Sequence, residues 1–248
     1  MRADRYLVEH GHFETRARAQ AAIAGGKVTA NGVVVAKPSQ KIAEGAEIVA
    51  EEAFPWVSRA ALKLVAALEA FGIDPSGRVC LDVGASTGGF TEVLLANGAR
   101  RVHAVDVGRG QLHPRLQTDA RVVSMEGMDA RTLAADMLDA PPSLVVCDAS
   151  FISLLKVIAR PLELAAPKAD LIALIKPQFE VGRAAIGKGG LVKSENDRRR
   201  AVDTVCSGLE AATDFKVKAV IDSPVEGGDG NREYLMAASR IRNRPDAG

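Results

Sequence analysis

The sequence predicts an α/β protein: a Rossmann-like sheet, mostly parallel and finished by a C-terminal antiparallel hairpin, with a small α+β domain in front of it. Three observations carry that prediction. From residue 58 onward short apolar runs alternate with helical stretches, which is how βαβ units read. The last two apolar runs, residues 216–222 and 233–238, are separated by a Gly-rich turn with no helix, so they are expected to pair antiparallel. The first fifty residues lack this alternation and carry a hairpin signal of their own, Asn31-Gly32, whose two turn positions both require positive φ.

In order along the chain, residues 2–10 read as a short helix. Thr15 is placed to cap a second helix that runs to Ala24 and stops at Gly25-Gly26. Lys27 to Ala30 and Val33 to Val35 are then the two strands of the hairpin. Residues 1–50 form the first domain, residues 51–57 a linker around Pro55, and residues 58–242 the second domain. Ser58 is expected to cap a helix through Phe71 that Gly72 ends. Strands follow at residues 79–83, 101–105, 122–124, 143–147 and 171–175. Continuous apolar runs of this length suit strands buried on both faces.

Composition narrows the function classes. The 248 residues are 47% hydrophobic and 25% charged, with a formal net charge of +1, so any basic patch must be local. Aromatics amount to 4%, too few for a nucleic-acid surface built mainly on stacked rings. Three well-separated cysteines, with no C-x-x-C pair, fit neither a disulfide framework nor a zinc site and suit a reducing cytoplasm. No run approaches the ~18 apolar residues of a membrane span, and Met1-Arg2-Ala3-Asp4 leads into no signal-peptide core. No metal and no membrane partner are expected, and oligomeric state is not legible.

The segment Leu81 to Phe90 sits where the first strand of the second domain meets its helix. Its pattern is D-x-G-x-x-x-G-G, built from Asp82, Gly84, Gly88 and Gly89, with Ala85, Ser86 and Phe90 between and after them. Glycines there admit a ligand close to the backbone. A dinucleotide site wants G-x-G-x-x-G. A carboxylate at Asp82 would repel a pyrophosphate but suits a ligand bearing an ammonium and a sulfonium, which favours S-adenosylmethionine over NAD. Asp106 ends the next strand, where an acidic residue accepts hydrogen bonds from ribose hydroxyls; the bland alternative is a helix N-cap. Met128-Asp129 follows the third strand, where an adenine edge is read, or is a plain loop.

Charged residues also stand at the carboxyl ends of later strands. Asp148 follows Leu144 to Cys147, Lys176 follows Leu171 to Ile175, and Glu233 opens the last strand; Lys63 lies on the helix before the sheet. Taken together, Ser58 to Leu64, Asp82 to Phe90, Asp148-Ala149-Ser150-Phe151, Ile175 to Glu180 and Gly230 to Tyr234 resemble the TlyA family, also filed as haemolysin A. The catalytic domain of that family is similar to FtsJ-type ribose methyltransferases. The resemblance implies 2′-O-methylation of RNA ribose, at a cytidine of ribosomal RNA, from S-adenosylmethionine. It assigns a catalytic Lys-Asp-Lys-Glu tetrad to Lys63, Asp148, Lys176 and Glu233. A hydroxyl is a poor nucleophile while protonated, and a lysine serves as its base only when its charged form is disfavoured. Lys63 would supply a neighbouring positive charge to Lys176, with Asp148 and Glu233 orienting the pair.

Glu14 to Gln20, Ile23, Gly26-Lys27-Val28 and Asn31-Gly32 resemble the alpha-L RNA-binding domain, which implies structured RNA, or whole ribosomal subunits, as partner. Arg16 and Arg18 occupy the first turn of their helix, where the macrodipole disfavours cations, and an RNA phosphate would relieve the mismatch. Candidate RNA contacts are Arg2, Arg5, Arg16, Arg18, Lys27, Arg59, Arg183 and Lys188, the last two on a Gly-rich loop beyond Lys176. The short N-terminus resembles the family branch restricted to large-subunit RNA. Competing readings are a membrane-lytic protein, an RNA-binding protein without activity, and a nicotinamide dehydrogenase, which lacks a suitably placed acid-base histidine here.

Overall fold

The computed structural model of the chain describes residues 1–241; residue 242, where the sequence places the end of the second domain, lies outside them. The chain divides into two compact units, Met1–Ser58 and a larger one from Arg59 onward.

The first unit opens with α1 (Ala3–Glu9) and α2 (Arg16–Ala24). Thr15 caps α2, its side chain accepting from the Arg18 N–H. Three short strands follow: β1 (Val28–Ala30), β2 (Val33–Val34) and β3 (Ile48–Ala50), in the order β2-β1-β3 with antiparallel pairing. Asn31 and Gly32 have φ of 50° and 76°, as a two-residue hairpin of this hand requires. The third strand is absent from the sequence reading. Tyr6, Leu7, Phe13, Ile23 and Val28 bury themselves between helices and sheet.

In the second unit α3 (Ala61–Phe71) precedes the sheet and ends at Gly72 in the left-handed region. Its N-cap is Ala60, not Ser58, so the expected cap is displaced by two residues. Five parallel strands come next: β4 (Val79–Val83), β5 (Arg101–Asp106), β6 (Val122–Glu126), β7 (Leu144–Cys147) and β8 (Lys168–Ile175). Helices α4 (Gly89–Ala96), α5 (Pro114–Gln117), α6 (Leu154–Leu164), α7 (Pro177–Glu180) and α8 (Glu195–Ala212) connect or follow them. Last come β9 (Lys216–Asp222) and β10 (Tyr234–Ile241).

The sheet runs β6-β5-β4-β7-β8-β10-β9, with β10 antiparallel to both of its neighbours. The hairpin partner therefore slots between β8 and β9. Helix α6 illustrates how the faces are covered. Leu154, Val157, Ile158, Pro161 and Leu162 are buried, the spacing of one apolar helical stripe, and they join Val145, Leu171 and Phe215 in the main core. No helix among the described residues is long and apolar enough to cross a membrane.

Candidate active site

Strand β4 is bordered by β5 on one side and β7 on the other, so the order of connection reverses at its carboxyl end. Open α/β sheets bind ligands at such a reversal. A cavity of about 610 Å³ lies there, its lining including Gly84, Ser86, Asp106, Met128, Asp129 and Asp148. Gly84 has φ +82°, and a Cβ on it would meet the Ala149 backbone at 3.0 Å. Glycine is thus what lets the segments after β4 and β7 approach each other beside the cavity.

The Asp106 carboxylate is fixed by two backbone donors, Ser86 N–H at 2.8 Å and Gly108 N–H at 2.7 Å. It caps no helix, since α5 begins at Pro114 with His113 as its cap. Each oxygen keeps a second lone pair for a ligand hydroxyl. Asp129 is more committed. It caps the turn Ala130–Thr132 and pairs with Arg131, Nε to Oδ1 3.0 Å, and this guanidinium holds its carboxyl below the usual range.

The remaining loop residues, Asp82, Ala85, Gly88, Gly89 and Phe90, are not part of the cavity lining, and Asp82, Ala85 and Phe90 are buried. Asp82 is fully buried and accepts from Thr91 Oγ1 at 2.7 Å. Burial pushes its carboxyl up to about 7. Its charge is not presented to the cavity, which corrects the electrostatic argument that selected the cofactor from Asp82. Gly88 answers to packing: a Cβ there would run into Leu116, and would lie 2.8 Å from Leu112. Burial raises the thiols of Cys80 and Cys147 to about 12, so both are inert core residues.

Lys63, Asp148, Lys176 and Glu233 come from four separate segments and meet. Lys63 Nζ is 2.6 Å from Glu233 Oε2 and 3.9 Å from Asp148 Oδ2. Lys176 Nζ is 2.7 Å from Asp148 Oδ1. Lys176 also donates to Ser150 Oγ at 2.8 Å and to the Asp148 carbonyl at 3.3 Å. Both lysines and Glu233 are buried. Two cations and two anions thus alternate in a chain, Lys176–Asp148–Lys63–Glu233, that is neutral in sum and desolvated. Such a chain tolerates the loss of one member poorly, because a buried charge is left unmatched.

Several neighbours of this chain escaped the sequence reading as functional residues. Ser150 is one. Glu180 ties the segment after β8 to that after β7, accepting from Ser153 Oγ at 2.8 Å and Leu154 N–H at 2.7 Å. Asn231 is buried and grips the chain on either side of Leu191, donating to the Gly190 carbonyl and accepting from Val192 N–H, each at 2.9 Å. Phe151 is 91% exposed, borders the cavity and has φ +65°, a conformation unfavourable for an aromatic residue. Its ring lies 5.3 Å from that of Phe179. A stacking surface therefore exists here despite the low aromatic content.

The basic candidates fall in different settings. In the first unit Arg16 pairs with Asp4 at 2.7 Å, Arg5 with Glu9 at 3.4 Å and Lys27 with Glu51 at 3.2 Å. Arg2 also pairs with Asp4. Arg18 is mostly buried, bonded to Glu52 at 2.9 Å and to the Trp56 carbonyl at 3.0 Å. The dipole mismatch at Arg16 and Arg18 is therefore already met by carboxylates and does not by itself call for a phosphate. In the second unit Arg59 reaches the Glu226 carbonyl at 3.3 Å. Arg183 and Lys188 are exposed on two short turns. No group of three or more His, Cys, Asp or Glu that could hold a metal occurs among the described residues.

A parallel sheet with its cavity at the order reversal and a buried Lys-Asp-Lys-Glu chain beside it belongs to a group-transfer enzyme. Residues 56–240 match the FtsJ-like methyltransferase family, and the chain belongs to that family; residues 1–48 match the S4 domain. Over 237 residues the chain is 44% identical to the 16S/23S rRNA (cytidine-2′-O)-methyltransferase TlyA of Mycobacterium tuberculosis, covering 95% of this chain and 88% of that protein. It is 39% identical to Hemolysin A of Brachyspira hyodysenteriae, covering 95% and 98%. A solved structure from Streptococcus thermophilus, a candidate hemolysin, superposes with a TM-score of 0.77 at 38% identity, covering 98% of this chain and 89% of that one.

Proposed function

We propose that this protein transfers a methyl group from S-adenosylmethionine to the ribose 2′-oxygen of a cytidine in ribosomal RNA, as a cytoplasmic enzyme. The observation that carries the reading is the buried charge chain beside the cavity, with Lys176 at its cavity end through Asp148 and Ser150. The family and the names of the relatives support it.

Gly84, Ser86, Asp106 and Met128 are the residues that would hold the cofactor, Asp106 at its ribose hydroxyls. When bound, S-adenosylmethionine supplies an electrophilic methyl on a sulfonium, whose sulfur leaves with the bonding pair. Lys176 Nζ first gives up to water the proton that makes it a cation in the resting chain, then takes the proton from the 2′-OH as the ribose oxygen attacks. Ser150 Oγ and the Asp148 carbonyl each accept from Lys176 Nζ and Asp148 Oδ1 lies 2.7 Å from it, which holds the amine at the cavity end; the incoming 2′-OH takes the place of one of these partners. Lys63 engages the far oxygen of Asp148, and Glu233 balances Lys63. Phe151 offers a ring face on which a base can stack.

The test uses tritiated S-adenosylmethionine with ribosomal subunits from a strain lacking this gene. Label in a ribonuclease-resistant 2′-O-methylated dinucleotide is expected; no label despite cofactor binding would sink the reading. Lys176→Ala should bind cofactor within about twofold of the parent yet lose at least about 10²-fold in transfer rate, the usual share of positioned proton transfer. Full activity in that variant would rule out Lys176 as the base.

A further inference from the structure

We infer that Asp4 is a positioning residue for RNA contact, a buried carboxylate that holds the guanidinium groups of Arg2 and Arg16 together for one stretch of RNA backbone. The inference rests on reading the first unit as the RNA-binding one.

Asp4 has no exposed surface, yet it sits in the first turn of α1 with its side chain among four donors. Arg2 meets it edge-on, Nε to Oδ1 at 3.0 Å and Nη2 to Oδ2 at 3.1 Å. Oδ2 also accepts from Arg16 Nη2 at 2.7 Å and Gln20 Nε2 at 2.9 Å. These bonds, Arg2 foremost, hold the carboxyl well below its usual range despite burial. The two arginines are not consumed by the arrangement: their side chains remain 48% and 56% exposed. Of the five N–H groups on each guanidinium, Arg2 spends two on Asp4 and Arg16 one. The outward edges are left for phosphate oxygens, the geometry in which arginine outperforms lysine.

Position must matter here because bulk charge does not. Residues 1–58 carry seven basic and seven acidic side chains, so the unit is formally neutral and has no general attraction for a polyanion. Affinity has to come from which cations face the RNA and how they are held. Arg2 and Arg16 lie 14 residues apart in sequence, one the N-cap of α1 and the other the first residue of α2, and the carboxylate they share is what brings their forks into one group.

A purely structural Asp4 and a positioning Asp4 predict opposite signs. Asp4→Asn removes a negative charge from the RNA-facing group, so charge alone predicts tighter binding and a steeper dependence on salt. Loss of positioning predicts weaker binding, by about fivefold or more, and a shallower salt dependence because ordered phosphate contacts disappear. The experiment measures the full-length protein's Kd for a structured ribosomal RNA fragment at several salt concentrations. It compares wild type, Asp4→Asn, Arg16→Gln and the double variant, with thermal melting as the folding control. Weaker binding by Asp4→Asn, less than additive with Arg16→Gln, is the expected result. Equal or tighter binding by Asp4→Asn, with Arg16→Gln weakened, overturns the role of Asp4 but leaves the RNA-binding reading standing. No effect of either substitution overturns both. Should Asp4→Asn not fold, Arg16→Lys decides, since it keeps the charge but replaces the fork: binding at least about fivefold weaker supports the inference, and unchanged binding refutes it.

Discussion

Asp82 shows how far the chemistry of one side chain depends on where the fold puts it. In sequence it precedes the first glycine of the loop and reads as a cofactor ligand; in the structure it is sealed against Thr91, and its Oδ1 has no hydrogen-bond partner among the described residues. Burial lifts its carboxyl to about 7, whereas in the unfolded chain it titrates near 3.9. The native state therefore binds this proton more tightly than the unfolded state. Its contribution to stability is complete below about pH 4, falls as pH rises toward 7, and is absent above that. The full swing is on the order of 4 kcal/mol. Asp82→Asn keeps the acceptor for Thr91 and removes the titration. Its melting temperature should match wild type near pH 4 and exceed it increasingly up to pH 8. Calorimetry at those two ends is the check, and a gap that is constant with pH would mean that Asp82 is ionised in the native protein throughout.

Elements were legible to different degrees, for physical reasons. Strands β4 and β9 match their sequence-expected spans, 79–83 and 216–222, because each is a bounded run with strong patterning. Strand β3 was invisible: three residues between a turn and the linker give no periodicity, and their pairing partner lies some 20 residues upstream. That β10 would slot between β8 and β9 is a tertiary fact that no local pattern encodes. Asp148 and Lys176 were readable because charges that end apolar strands stand out, whereas Lys63, on a helix, joined the tetrad through the resemblance alone. The tetrad's helpers were not readable, since Ser150, Glu180 and Asn231 act through partners 26 to 41 residues away. The glycine loop was readable as a pattern but not as a division of labour. Gly84 serves the cavity, whereas Gly88, with φ +93°, serves the packing of α5 through Leu112 and Leu116. Gly88→Ala should therefore cost about 1–3 kcal/mol of stability, from left-handed strain and displacement of the two leucines. A urea midpoint lowered with an unchanged m-value would show it; an unshifted midpoint would mean that the turn relaxes freely.

At the scale of the whole molecule, charge is spent in pairs. The chain carries 32 basic and 31 acidic residues, and the cations of the first unit at Arg2, Arg5, Arg16, Arg18 and Lys27 each touch a carboxylate. The first unit can therefore displace only a few counterions, because most of its cations already share a carboxylate. Since each phosphate contact contributes a slope of about −0.9 in log affinity against log salt, two to four contacts imply that RNA binding weakens roughly 10-fold to 10²-fold between 50 and 200 mM salt. Cofactor binding should be nearly flat over the same range, because the Asp106 carboxylate at the cavity is satisfied by backbone donors and Asp129 by Arg131. The two titrations, run on one preparation, separate the partners by their physics. An RNA slope as steep as ten contacts would mean that the carboxylates release their arginines wholesale on binding. A slope near zero would mean that recognition rests on stacking and neutral hydrogen bonds, with Phe151 rather than the first unit's arginines as the anchor.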